Sequence, residues 1–169
     1  TQQTTKAAVV TTEKATTKEI EKTTITTTAV TTSPQTTKPS DEYSEYQKAV
    51  LDLVNAERAK EGMSALTLEI KLCEAADIRA NEIVMKFSHT RPNGSSCFTA
   101  VQEVGYTAYR TLGENIAGGQ RTPEEVVTGW MNSEGHRANI MSKNFTKLGV
   151  GYLSANSGYG TYWVQMFAG

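Results

Sequence analysis

Several features that mark common function classes are absent from this 169-residue sequence. It has only two cysteines, Cys73 and Cys97, and neither belongs to a CxxC pair, which excludes a four-thiolate zinc site. No apolar run approaches the roughly 18 residues of a membrane-spanning helix. There is no basic block, and the formal net charge is -1, so no nucleic-acid partner is expected. The HExxH and GxSxG motifs of zinc proteases and serine hydrolases are also missing.

The first forty residues contain no Leu, Phe, Trp or Tyr, whereas 16 of them are Thr. Such a segment has nothing to form a core with and cannot offset the entropy lost on ordering. We therefore predict a Thr-rich disordered stalk over residues 1–40, either a plain linker or an O-glycosylated segment. The chain shows no signal peptide and no initiator Met, which suits a processed, extracellular or cell-surface protein and equally a cloning boundary.

Aromatic residues begin at Tyr43 and continue to Phe167, which predicts one globular domain over residues 41–169. Apolar residues at helical spacing predict two long helices, the first capped by Ser40. Thr122 followed by Pro predicts another helix start. The C-terminal part alternates like two strands of an antiparallel hairpin, so the fold class is α+β. The predicted helices cover 41–60, 68–87, 96–104 and a segment from 122, and the predicted strands or extended segments cover 111–119, 148–153 and 161–167.

The two cysteines lie at a separation that allows a disulfide. A bond between Cys73 and Cys97 would close a loop of moderate length and suits a secreted protein, and it is the expected state. Two buried free thiols are the alternative. A mass measured with and without reductant distinguishes them.

The chain has only two histidines, His89 and His136, and the pattern places both in breaks between elements. Gly135 is predicted to end or bend the preceding helix just before His136. Glu114 lies in an apolar, glycine-rich segment, where a carboxylate needs a partner such as a histidine. The three residues could form a cleft, act as helix caps within a polar network, or bind zinc with an open position. Ser88 and Ser133 are near the histidines in sequence, without a nucleophile motif.

The order of the motifs resembles a bacterial CAP domain, the superfamily of cysteine-rich secretory proteins, antigen 5 and pathogenesis-related 1 proteins, also called SCP domains. The resemblance covers residues 43–169. It rests on Leu-Val-Asn-Ala-Glu-Arg at 53–58, Phe-Ser-His at 87–89, Gly-Glu-Asn-Ile-Ala at 113–117, Trp-Met-Asn-Ser-Glu-Gly-His-Arg-Ala-Asn-Ile at 130–140, Gly-Val-Gly-Tyr at 149–152 and Tyr-Trp-Val-Gln-Met-Phe at 162–167.

This resemblance implies a three-layer α-β-α sandwich with a small antiparallel sheet and a central cleft. By position, His89 and His136 match the two histidines of the cleft and Glu114 matches its Gly-Glu-Asn acid. Many relatives have a second glutamate where this chain has Ser133, so the four-residue set is complete only if the adjacent Glu134 replaces it. Asn115 is included among the expected ligand-binding residues.

The resemblance leaves three functions open. The first is a secreted or cell-surface binding module for a lipid, cell-wall or host component. The second is a hydrolase in which one histidine acts as general base with Glu114 orienting it. The third is a purely structural role for the cluster. No cofactor is required, although His89 and His136 could hold a divalent metal such as zinc.

Overall fold

The computed structural model of the protein describes residues 43–169. The predicted stalk and the predicted Ser40 cap therefore lie outside the described residues. The elements, in chain order, are α1 (Glu45–Lys60), β1 (Thr67–Leu68), α2 (Ile70–Met85), α3 (Thr99–Glu103), β2 (Leu112–Gly118), α4 (Pro123–Met131), α5 (Glu134–Ile140), β3 (Lys147–Ser154) and β4 (Thr161–Ala168).

Two helix starts follow directly from capping chemistry. Helix α1 begins after Ser44, whose Oγ accepts from the Gln47 backbone N–H at 3.3 Å while the Gln47 side chain accepts from the Ser44 N–H at 2.8 Å. This reciprocal pair satisfies two free N–H groups and sets the start at Glu45, later than predicted. The predicted start of α4 is confirmed, because Thr122 Oγ1 accepts from the Glu125 N–H at 3.2 Å.

The sheet has the strand order β1-β3-β4-β2. Strands β3 and β4 form the predicted antiparallel hairpin, and β2 pairs antiparallel with the outer side of β4, placing Asn115 opposite Gln165. Strand β1 was not predicted, and it pairs with β3 in parallel, so the sheet is not wholly antiparallel. Two residues are too few to show a strand's alternating pattern.

Strand β4 separates two hydrophobic cores because its side chains alternate between the faces of the sheet. One core lies against α2 and α3, and the other lies against α1, α4 and α5. The predicted three-layer α-β-α sandwich is therefore confirmed. The residues of β4 on the α2 side are Tyr162, Val164, Met166 and Ala168, and those on the other side are Trp163 and Phe167.

Close packing of α2 on the sheet depends on two glycines of β3. A Cβ built on Gly149 would overlap the backbone of Leu72, and one on Gly151 would overlap the backbone of Ala76. The absence of side chains here lets the helix lie against the strand.

The predicted disulfide is wrong in this structure, where Cys73 and Cys97 are both buried free thiols. The Cys73 thiol lies by the backbone of Val150, and burial raises its pKa to about 11. The Cys97 thiol instead lies beside the carboxylate of Glu114. The two sulfurs thus have separate neighbours, a strand backbone and a buried acid. Within residues 43–169, no helix is both long and apolar enough to cross a bilayer.

Candidate functional site

Glu114 is a buried carboxylate on β2, and its partner is an arginine that sequence reasoning missed. Its Oε2 accepts from Arg79 Nε at 2.8 Å, and its Oε1 lies 3.4 Å from Arg79 Nη2. Both side chains are almost completely excluded from water. The ion pair therefore supplies the opposite charge that a carboxylate at this depth requires.

His89 is oriented by the same carboxylate. Its Nδ1 lies 2.7 Å from Glu114 Oε1, while 57% of the side chain remains exposed. The Oε1 atom of Glu114 also contacts Arg79 and accepts there, so Nδ1 of His89 is assigned as the donor, and Nε2 takes no part in this contact. The sequence prediction that Glu114 would have a histidine partner agrees with this contact. The result is a fixed imidazole with one free nitrogen at the surface.

Arg79 extends the ion pair into a network behind the site. Its Nη1 donates to Glu82 Oε2 at 2.6 Å and its Nη2 donates to the Ser88 carbonyl at 2.6 Å, next to His89. Burial raises the pKa of Glu82, but hydrogen bonds from Arg91 and Arg79 outweigh it and the pKa falls below its usual value. Each buried charge is thus balanced by a neighbour, which fixes the loop that carries His89.

His136 lies within helix α5, not in a break as predicted. Helix α4 ends at Met131, and Gly135 is part of the first turn of α5, so it neither ends nor bends the preceding helix. Burial lowers the pKa of His136, and the nearby charge of His89 lowers it further. His136 therefore favours a neutral ring, and the two imidazoles are electrostatically coupled.

Two cavities lie along β2, and the residues predicted to form one cleft are divided between them. The first, of about 490 Å³, is bordered by His89, Glu114 and Cys97. The second, of about 300 Å³, is bordered by His136 and Ser133. Strand residues 112–114 line the first cavity and residues 116–118 line the second, so β2 is common to both.

Asn115 borders neither cavity, and its side chain lies on the opposite face of β2 from that of Glu114. It is fully buried and its Nδ2 lies 3.1 Å from the His136 carbonyl and 3.0 Å from Gln165 Oε1. Asn139 Nδ2 donates to Asn115 Oδ1 at 2.8 Å. These amides tie α5 to β2 and so position His136. No atom of Asn115 reaches the surface.

The two candidates for the fourth position differ in location. Ser133 borders the cavity of His136, whereas Glu134 is exposed in the first turn of α5 and borders neither cavity of the site. Neither cavity therefore gains a second acid from this segment.

A metal centre can be tested against the donors that are present. The side-chain donors of His89, Cys97 and Glu114 lie within 4.8 Å of one another. However, Glu114 is already paired with Arg79, and burial together with the charge of Glu114 raises the pKa of the Cys97 thiol to about 12. To ligate zinc, Cys97 would have to be a thiolate and Glu114 would have to offer an unpaired oxygen, so this trio does not fit a tight zinc site. The imidazole nitrogens of His89 and His136 are the remaining candidate metal ligands.

The chain is similar in sequence to a known protein family and to a protein of Bacillus subtilis. Residues 51–167 match the family CAP, described as the cysteine-rich secretory protein family. The uncharacterized protein YkwD of Bacillus subtilis (strain 168) is 45% identical over 128 residues, which are 75% of this chain and 48% of that protein. The chain thus spans about half of this curated relative.

Two solved structures have the same fold. A crystal structure of an extracellular protein containing a SCP domain from Bacillus anthracis str. Ames has a TM-score of 0.64 and 27% identity over 73% of this chain and 40% of that one. NaASP2 with Zn2+ has a TM-score of 0.54 and 16% identity over 76% of this chain and 82% of that one, a likeness of fold alone. The family match covers most of the domain, so the chain belongs to the CAP family of cysteine-rich secretory proteins.

Proposed function

We propose that this chain is a secreted or cell-surface binding module whose ligand occupies the two cavities along β2. The observation that carries the proposal is the His89–Glu114–Arg79 arrangement, in which a buried ion pair orients an exposed imidazole. Two buried charges beneath one surface histidine are costly to maintain for a side chain without a role. His89 and His136 are accordingly proposed as the ligand-contacting residues, with Glu114 and Asn115 as positioning residues.

The cavities suit a ligand that has both polar and apolar parts. Phe98 and Leu112 contribute apolar surface to the first cavity. Phe87 and Tyr159 border the second, where their rings meet edge to face with centroids 5.2 Å apart. Both aromatic side chains are substantially exposed. An amphipathic lipid, cell-wall or host component would contact these rings while its polar group meets the imidazoles.

A secreted or surface location is part of the proposal. The related Bacillus anthracis protein is extracellular, and residues 1–40 have the composition of a stalk that would hold the domain away from an attachment point. The chain spans about half the length of its curated relative. The role of a longer protein that contained this domain would therefore also be part of the proposal.

We propose that a divalent metal binds only weakly to the histidine pair. The NaASP2 structure contains Zn2+, and here His89 and His136 would be the donors. A bound zinc ion would polarise a ligand oxygen. Two imidazoles without a free acid do not complete a tight site, so the binding proposal does not depend on the metal.

Co-sedimentation with two probes tests the proposal. The chain would be mixed with purified bacterial cell-wall sacculi and, separately, with phosphatidylglycerol vesicles. We expect His89→Ala and His136→Ala to weaken binding of the retained probe several-fold while the melting temperature stays near that of the wild type. Met85→Ala is the matched control, because Met85 is exposed and borders neither cavity. Equal binding by all variants would contradict the proposal, because it would indicate that the ligand does not contact the histidines.

A hydrolase is the second candidate, and one observation favours it. The carboxylate–imidazole pair of Glu114 and His89 has the hydrogen bond that orients a general base. The ion pair with Arg79, however, already offsets the charge of Glu114. Turnover of p-nitrophenyl acetate or casein that is abolished in His89→Ala would favour the hydrolase, whereas a background rate equal in both proteins would reject it.

A further inference from the structure

A separate cavity of about 260 Å³ lies at the C-terminal end of α1, between that helix and the segment joining α5 to β3. It shares no residue with the two cavities along β2. Its lining contains two cations and no acid. The lining residues are Arg58, Gly62, Met63, Ser64, Ala65, Lys143, Phe145 and Thr146.

Arg58 connects α1 to the rest of the domain through neutral groups only. The residue is 2% exposed. Its Nε donates to the Ser64 carbonyl at 2.8 Å, and its Nη1 lies 2.6 Å from the Ile140 carbonyl and 3.0 Å from the Ser142 carbonyl. Carbonyl oxygens satisfy these N–H groups, but they carry no net charge to balance the guanidinium.

The remaining nitrogen of Arg58, Nη2, belongs to a side chain that lines the cavity. Nη2 has no hydrogen-bond partner within residues 43–169. It is also absent from the fully buried, partnerless atoms of this region, which are Gln120 Oε1, Trp130 Nε1 and Gln165 Nε2. Nη2 is therefore not completely sealed from solvent, although the Arg58 side chain as a whole is almost completely buried and lines the cavity.

The charge of this cavity is uncompensated by the described part of the chain. Neither Arg58 nor Lys143 forms an ion pair there, whereas the nearby Arg137 pairs with Glu61. Burial lowers the pKa of Arg58, and no acid raises it again. A buried cation without a counter-charge is unfavourable, so an anion entering the cavity would be stabilised.

We propose that this cavity binds a phosphate group of a small ligand. Nη2 of Arg58 and the ammonium of Lys143 supply charged donors, and Ser64 and Thr146 supply hydroxyls. Nε and Nη1 of Arg58 are already bonded to carbonyls, so the two-nitrogen fork that favours a planar carboxylate is not available. Single donors from several chain segments suit a tetrahedral oxyanion better. The phosphate could be free, a monoester or a diester. This site is independent of the function proposed above.

Isotope-edited NMR with inorganic phosphate tests the site, with ionic strength held constant by sodium chloride. We expect saturable shifts of the Arg58 Nε–H signal and of the backbone signals of residues 62–65 and 143–146. Lys143→Gln is expected to raise the Kd about threefold to tenfold, as loss of a charge-assisted hydrogen bond implies. Lys86→Gln is the matched control, because it removes an exposed lysine away from this cavity and should leave the Kd unchanged.

The choice of variant and of ligands keeps the test decisive. Arg58 also holds α1 in place, so Lys143, which is exposed, is substituted in its stead. Glycerol 3-phosphate and glycerophosphocholine distinguish monoester from diester, and tighter binding of either would support the proposal. The proposal is overturned if wild-type protein shows no saturable shift, if Lys143→Gln binds phosphate like the wild type, or if acetate binds as tightly as phosphate.

Discussion

At the scale of single residues, the site depends on a buried charge that only its neighbours make tolerable. Glu114 is held by Arg79 at 2.8 Å and by His89 at 2.7 Å. Arg79 also contacts Glu82, and removing Arg79 would leave the Glu114 carboxylate uncompensated in the interior. The orientation of His89 is thus coupled to the stability of the domain.

Replacing Arg79 with Met tests that coupling. We expect Arg79→Met to lower the free energy of unfolding by about 3–5 kcal/mol, because the Glu114 carboxylate stays buried without its counter-charge. The double variant Arg79→Met/Glu114→Leu should recover part of the loss. Urea denaturation measures both, and a single-variant loss below about 1 kcal/mol would show that the pair is not needed to compensate the buried charge.

Glu114 and His89 could be predicted as partners because a lone acid in an apolar, glycine-rich segment must find one. Arg79 could not, because arginines on helices are usually solvated. The only signal was its place among Ala76, Ala80 and Ile83 on the apolar stripe of α2. The family resemblance also did not indicate that Asn115 lies on the opposite face of β2 from Glu114.

At the scale of elements, α2 packs closely on β3 because two residues of the strand have no side chain. Gly149 and Gly151 allow the backbone of α2 to contact the strand. The hairpin of β3 and β4 was predictable from its alternating residues, as was α4 from its cap. Strand β1 was too short for a pattern, and the gap before α5 was only Asn132 and Ser133, so Gly135 and His136 were misplaced in a break.

Substituting Gly151 with Ala tests the close approach. We expect Gly151→Ala to destabilise the domain by about 1–3 kcal/mol, because the new methyl overlaps the backbone of Ala76. Gly129→Ala is the matched control within α4, where the nearest atom is a comfortable 3.9 Å away. That change should stabilise the helix by up to about 1 kcal/mol. Thermal or urea unfolding distinguishes them, and equal effects would contradict the packing.

At the scale of the whole molecule, stability should depend on pH through His136. Burial, with the charge of His89, lowers its pKa from the ordinary 6.5. Between the folded and unfolded pKa values, the unfolded chain binds more protons, so this contribution is complete above the unfolded pKa and is lost as the pH falls. Asp77, whose pKa burial raises to about 6, acts in the opposite direction.

A difference measurement isolates the histidine. We expect the wild type to lose more stability than His136→Gln when the pH falls from about 7.5 to about 5.5. In the wild type, His136 takes up a proton more readily in the unfolded chain than in the folded one, whereas glutamine does not titrate. The contribution of Asp77 cancels in that comparison. Urea midpoints at both pH values supply the numbers, and parallel changes in the two proteins would contradict the account.

The two free thiols give a second prediction for the intact chain. Burial raises the pKa of both Cys73 and Cys97, so neither should react readily with iodoacetamide while the protein is folded. After denaturation without reductant, the mass should show two added groups. If labelling instead required prior reduction, the result would indicate that Cys73 and Cys97 are joined by a disulfide.

Mapping where small molecules bind is the most direct test of the central claim. A fragment screen by heteronuclear NMR would detect ligands without presuming their chemistry. The account predicts that shifts concentrate on His89, Gly113, Glu114 and His136, and that His89→Ala removes the strongest of them. The competing location is the cavity of about 390 Å³ between α1 and α4, lined by Leu53, Val127 and Met131. Shifts confined to those residues, with the histidine signals unmoved, would contradict the account.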